Sequence, residues 1–259
     1  MKLMINHQTH FEYTEHACNS IQYLKMTPFN NAHQKVHYWD ISVPGSREKK
    51  IDAFNNVWIT STQRFDYQQM TIMAQGIVEL NTSTVLGLSD RLNPYLFLQP
   101  TVNTLCSPEM KEFAHRYVPE VNYGNLVQLA GAVLDYILYV PKSTNVMTSA
   151  IEAFEHQQGV CQDHSHVFIA MCKALGVPAR YVSGYLHVDN MPHLASHAWC
   201  EVFLNNTWYS FDISNQLFSP KSHVYVAVGR DYLDVAPVRG VREKGGTETM
   251  HSIVQVLAC

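Results

Sequence analysis

The sequence is poor in charge and in long apolar runs. Only 15% of its 259 residues are charged, against 46% hydrophobic, and the formal net charge is −4. An acidic balance without a basic stripe leaves no electrostatic case for a nucleic-acid partner, because phosphates demand clustered Lys and Arg. The one basic patch, Arg47 with Lys49 and Lys50, reads as a solvated turn. No run approaches the roughly 20 apolar residues of a membrane-spanning helix. The best candidate, Leu129 to Val140, is short and carries Asp135, so it reads as a buried helix. The opening stretch MKLMINHQTHFEY has neither the apolar segment nor the small-residue cleavage site of a secretory signal. The expected location is therefore cytoplasmic. Six cysteines (Cys18, Cys106, Cys161, Cys172, Cys200 and Cys259) follow no framework spacing. That argues against a disulfide-stapled scaffold and for free, mostly buried thiols.

What is present is a change of rhythm along the chain. The first eighty or so residues alternate with period two in HFEYTEHA, IQYLKMTP, KVHYWDISV, NVWITST and TIMAQGIVEL, broken by turn residues such as Pro44-Gly45-Ser46 and Asn55-Asn56. Short β-branched and aromatic runs at this spacing predict an antiparallel β domain over residues 1–85. A Pro- and Asn-punctuated linker follows over 86–104. Helical periodicity then appears over Pro108–Tyr117, Gly124–Tyr139 and Thr148–His156. After Pro178, ARYVSGYLHV, HAWCEVFL, TWYSFDIS, HVYVAVG and TMHSIVQVLAC read as strands. Helices followed by strands predict an α+β core over residues 105–259.

The clearest helix begins at Cys161. Phe168, Met171, Cys172 and Leu175 recur at i, i+3, i+4 and i+7, and Gly176 with Pro178 supplies a stop. Counting back along this stripe reaches His164 and then Cys161, so the thiol sits at the helix N-terminus and faces inward. Free N–H groups and the partial positive charge there favour a thiolate. Gly159 would let a substrate chain approach, and the Cys161 N–H could serve as an oxyanion donor. Local pattern alone leaves an inert core cysteine and a nucleophile equally open. A metal site with Asp163, His164 and His166 is disfavoured, since the two histidines lie about 200° apart around the helix.

A nucleophilic cysteine needs a base and an orienting group from elsewhere. SHAWCEVFLNNTWYSFDIS offers both. Asn205-Asn206 suits a two-residue hairpin turn, which pairs Leu204 with Thr207, Trp199 with Asp212 and His197 with Ser214. His197 and Asp212 then become diagonal neighbours on one face, within side-chain reach. Ala198, Cys200, Val202 and Leu204 with Tyr209, Phe211 and Ile213 form the opposite, core face. On this reading His197 and Asp212 are on the side that meets the Cys161 helix.

With GVCQDHSHVFIAMCKALGVPARYVSGY, SHAWCEVFL and WYSFDISN in this order, the chain resembles the transglutaminase-like superfamily of papain-fold cysteine enzymes. HVYVAVGRDYLDVAPVRG and the β-rich N-terminal part resemble its bacterial branch. The resemblance implies a papain-like or transglutaminase-like core with Cys161 as nucleophile, His197 as base and then acid, and Asp212 as orienter. It implies thioester chemistry on peptide or isopeptide amides, with a peptide or protein substrate and no cofactor or metal. A hydrolase is the main reading. A protein-glutamine transglutaminase or deamidase is the alternative, and a non-catalytic binding protein of the same fold is the rival from another class. Two departures stand out: DISN lacks the proline of the family's usual Asp-Pro-Thr-Asn but keeps Asn215, and Cys200 fills a position usually smaller or aliphatic. Gln162 and Tyr185 are candidate cleft-lining residues. His164 is expected in the core or beside the site, and Trp199 against the His197–Asp212 pair. Arg230, Asp231, Asp234 and Arg239 read as a structural ion network.

Overall fold

Alternating burial drives the first part of the chain into a sheet. In the computed structural model, which describes residues 1–83, 87–88, 90–188 and 196–259, β1 (Lys2–Thr27) turns Leu3, Ile5, His7, Thr9, Phe11 and Tyr13 inward. The two strands expected within it are one. Cys18-Asn19-Ser20 makes a bulge, with Asn19 at φ 46° and a register slip against the neighbouring strand, where a turn was expected. Strands β2 (Gln34–Ser42), β3 (Ser46–Ile51), β4 (Val57–Gln63) and β5 (Tyr67–Leu80) complete this part, in the order β2-β5-β1-β4-β3. The basic patch of Arg47, Lys49 and Lys50 is a strand and not the expected turn. β3 is an edge strand exposed along its whole length, where lysines block pairing with other chains.

The second unit stacks helices on a four-stranded sheet. Helices α1 (Pro108–Tyr117), α2 (Tyr123–Tyr136), α3 (Ala150–His156) and α4 (Cys161–Ala174) pack on β8 (Ala179–Leu186), β9 (His197–Leu204), β10 (Thr207–Phe211) and β11 (His223–Gly229), ordered β10-β9-β8-β11. Between them the short strands β6 (Leu138–Tyr139) and β7 (Gln158–Gly159) pair in parallel. That pairing explains why α2 stops short of the expected Tyr139, since Ile137 is already extended. α1 and α3 start on Ser107 and Ser149, whose hydroxyls cap Met110 and Glu152 N–H groups. α4 is buried almost all round from Asp163 to Lys173, as suits a central helix. The short helix α5 (Tyr232–Val235) follows β11.

The last two strands leave this unit. β12 (Val238–Lys244) and β13 (Glu248–Ala258) both pair with β1, so TMHSIVQVLAC extends the first sheet and not the second, where it was expected. The reason is packing. Val254 and Val256 join Leu3, Ile5 and Val78 in a core that also takes Tyr185, Val224 and Val226 from the second sheet. The expected linker is also packed: Leu88 bridges to Trp208 and Asp90 ion-pairs with the buried Arg180. The expected boundary at residues 85 and 86 falls outside the described residues. The expected ion network resolves mainly into local ties: Arg230 pairs with Asp234, Asp231 caps α5, and Arg239 reaches the Leu233 carbonyl.

Two buried side-chain amides join the sheets. Gln34 donates to the Tyr225 carbonyl at 2.8 Å and accepts its N–H at 2.7 Å. Asn56 does the same at Val228, with both bonds 2.8 Å. β11 is an edge strand, so these amides stand in for a missing neighbour. Asn56→Ala strands two buried backbone groups and should cost about 2–5 kcal/mol, read as a lower urea midpoint. Tyr38→Ser, on the exposed outer face, should stay within about 0.5 kcal/mol.

Candidate active site

The site forms where α4 begins. Val160 is extended and its N–H donates to Asp163 Oδ2 at 2.7 Å, which starts the helix at Cys161. Thr144 Oγ1 donates to the same oxygen at 2.6 Å. Gly159 has a different job from the one its place suggests. A Cβ there would collide with the Asp163 side chain, so glycine makes room for this cap and not for substrate. Cys161 is partly buried, with its sulfur at the rim of the helix–sheet core. Gln162 lies beside it, its side chain donating to Asn145 O at 3.5 Å.

The hairpin forms in the expected register. Asn205 and Asn206 both have positive φ, and Leu204 pairs with Thr207 and Cys200 with Phe211. Its faces are used differently from expectation. α4 packs on the Ala198, Cys200, Val202, Phe211 and Ile213 face, with Phe168 stacked on Phe211 at 5.2 Å. His197 and Asp212 therefore belong to the face turned from the helix. His197 still hydrogen-bonds Cys161, because it is the first residue of β9 and stands at the sheet's end beside the helix start. A covered face must be apolar, and only the strand's end lets a polar side chain reach round it.

Asp212 is wholly buried and surrounded by donors. His197 Nε2 lies 2.7 Å and His223 Nε2 3.0 Å from its Oδ2. Asn215 donates to Oδ1 from its backbone N–H at 3.2 Å and to Oδ2 from its side chain at 3.0 Å. The Asp212–Leu217 bridge closes the DISN turn with paired backbone bonds, which do the work of the absent proline. Burial by itself would raise the Asp212 carboxyl, but the two imidazole N–H bonds outweigh it and hold it below the usual range. Burial by itself would likewise lower His197. The bonds to Asp212 and Cys161, with their charges, push it up to about 10. Since Nε2–H serves Asp212, Nδ1 is the nitrogen left for the sulfur.

The remaining expected residues separate. His164 is in the core beside the site: its Nε2–H donates to Ile137 O and its Nδ1 accepts from Ser214, both at 2.8 Å. It thereby ties α4 to the turn carrying Asp212, and burial keeps its pKa low. His166 faces elsewhere, accepting the Tyr232 N–H. Trp199 stacks by His197 at 6.0 Å and lies tilted against His223 at 4.7 Å, fully buried. A Cβ at Gly184 would strike the Val224 carbonyl of the neighbouring strand first and then this indole. Tyr185 is not at the cleft. It points into the core between the sheets, its hydroxyl on His7 Nδ1 at 3.0 Å.

Two residues at the site carry no local signal in the sequence. Tyr139 pairs with Gly159 and sets its half-exposed ring 6.0 Å from His164, over the first turn of α4. Partial burial and negative charge at Cys161, Asp212 and Asp163 push its phenol up. His223 shows only as one residue of an ordinary β run. The parallel β6–β7 pairing and the position of β11 depend on distant segments, and no local pattern encodes them. His197, Asp212 and His223 bring potential ligand atoms close together. Their 2.7 and 3.0 Å separations are hydrogen bonds, shorter than the roughly 3.3 Å between neighbouring tetrahedral ligands around zinc.

Two outcomes follow from this arrangement. Iodoacetamide at mildly acidic pH should modify Cys161 ahead of Cys172 and Cys200, whose thiols burial pushes up; peptide mapping that finds all three labelled alike would refute a paired thiolate. Because folding raises His197 from an ordinary 6.5 to about 10, its stabilisation is full below pH 6.5 and is lost as pH rises through about 10. The gap in urea midpoint between the protein and Asp212→Asn should narrow over that window.

Comparison with known proteins follows the same outline. Residues 112–213 match the profile of the transglutaminase-like superfamily, and residues 3–79 that of the bacterial transglutaminase-like N-terminal region. An uncharacterized protein of Mycobacterium leprae is 29% identical over 279 aligned positions, covering 98% of each chain. One from Mycobacterium tuberculosis is 25% identical, covering 92% of this chain and 86% of its own. The crystal structure of a candidate cysteine protease from Cytophaga hutchinsonii has the same fold, with a TM-score of 0.80 at 21% identity, spanning 100% of this chain and 91% of that one.

Proposed function

The chain belongs to the transglutaminase-like superfamily, and on that premise we propose that it is a cysteine hydrolase cleaving peptide or isopeptide amides through a thioester on Cys161. One observation carries the reading: Cys161, His197 and Asp212, from three separate segments, form a single hydrogen-bonded chain at a helix N-terminus. Asp212 keeps Nε2–H on its own side, so Nδ1 exchanges protons with the reacting groups. The Cys161 thiolate attacks the amide carbonyl carbon, and the oxyanion develops toward the Cys161 N–H. Nδ1–H of His197 then passes to the leaving nitrogen as the C–N bond breaks. Water enters, gives a proton to Nδ1 and attacks the thioester carbonyl, releasing the acid and the thiol. Trp199 covers the imidazole pair and keeps water from the ionic contact.

The substrate in this reading is a peptide or protein. The six free cysteines support a reducing compartment such as the cytoplasm. No helix among the described residues is long and apolar enough to cross a membrane.

Peptide-library turnover with and without an added primary amine is the decisive measurement. Chain cleavage unaffected by amine supports hydrolysis, whereas amine incorporation or ammonia release from glutamine would transfer the same triad to a transglutaminase or deamidase. Cys161→Ala should reduce turnover by roughly a thousandfold or more and Asp212→Asn by roughly 100- to 10,000-fold. Full activity in Cys161→Ala would overturn the proposal.

A further inference from the structure

One carboxylate oxygen serves two imidazoles. Asp212 Oδ2 takes His197 at 2.7 Å and His223 at 3.0 Å, each through Nε2. An ionised carboxylate only accepts, so both rings must carry Nε2–H. His223 is fully buried, its Nδ1 has no hydrogen-bond partner among the described residues, and burial lowers its pKa. It is therefore a neutral ring of fixed tautomer. A Cys-His-Asp chain has no need of a second imidazole, and burying one with a bare Nδ1 costs free energy. The groups facing it are Asp212, His197 at 6.1 Å between ring centres, the Glu201 carboxylate and the Trp199 indole. His33 bonds to its backbone carbonyl at 3.0 Å, and Gln34 and Asn56 fix the rest of β11.

This arrangement answers a chemical difficulty. The more of the Asp212 charge one imidazolium has to satisfy, the more firmly that ring holds its proton and the weaker an acid it is. The neutral His223 N–H, beside the Asn215 amide on the same oxygen, takes up a further part of its negative charge. We propose that His223 is a positioning residue that shares Asp212 Oδ2 with His197 and so limits how tightly the base holds its proton, letting His197 release Nδ1–H to a leaving amine. The proposal rests on the triad reading above. In the step concerned the sulfur–carbon bond has formed, the C–N bond breaks, and the Nδ1 proton ends on the amine nitrogen. His223 itself neither gains nor loses a proton.

The test compares His223→Phe, which removes the donor, His223→Asn, whose shorter amide stops short of Oδ2, and His223→Gln, whose amide reaches it. Nitrogen NMR of the histidine rings follows His197 directly, and the pH profile of Cys161 alkylation follows it without any substrate. In His223→Phe or His223→Asn, whichever folds, His197 should deprotonate at higher pH than in the parent. Amide turnover should fall about tenfold more than turnover of a nitrophenyl ester, whose leaving group departs without a proton. His223→Gln should restore both. An unchanged His197 titration, with amide and ester turnover falling together, would make His223 a packing residue and overturn the proposal. The triad reading has its own control: if Cys161→Ser leaves the His197 titration of the parent unmoved, that reading fails whatever His223 does.

Discussion

The buried carboxylate of Asp212 is the constraint on which the site depends. An ionised group with no water contact survives only if its oxygens are filled by donors. Here they are filled from three directions: β9 through His197, β11 through His223, and its own turn through Asn215. Moving any of these elements would leave a charge unpaired, so the demand for donors fixes the relative positions of the strands. Cys161 profits from this without touching Asp212, because the ring that satisfies the carboxylate is held with its other nitrogen toward the sulfur.

The N-terminal sheet takes part in this arrangement although it contributes no reacting group. β11, which carries His223, pairs on one side with β8, and its other edge is satisfied by the amides of Gln34 and Asn56. The first sheet thus behaves as a partner for the second, sealed by the shared core around Tyr185 and Val224. β12 and β13 return to β1 after the second sheet is complete. The burial of His223, and hence its neutrality, follows from that sealing.

Burial separates Cys172 and Cys200 from Cys161. Cys172 and Cys200 lie wholly within the core, where burial disfavours a thiolate. Cys161 is at the rim, with a helix N-terminus on one side and a charged imidazole on the other. The same residue type thus meets two environments, sealed from water in two places and open to a buried imidazole in a third.

Much of this was legible in the residues. The helix from Cys161, the Asn205-Asn206 turn, the register placing His197 diagonal to Asp212, and the β-rich first part all follow from short-range periodicity and turn chemistry. These depend on a few neighbouring residues and are determined before the chain folds. What only the tertiary structure decided is which face α4 covers, where β13 pairs, and which distant side chains meet at Asp212. Alternation along a strand tells which residues share a face but not what lies against it, so it points His197 toward the helix although the ring reaches round the sheet's end. Nor does the sequence tell that Tyr185 turns into the core between the sheets, or that His223 reaches Asp212. A strand's partner is chosen by burial across the whole molecule, and a carboxylate's donors by that choice.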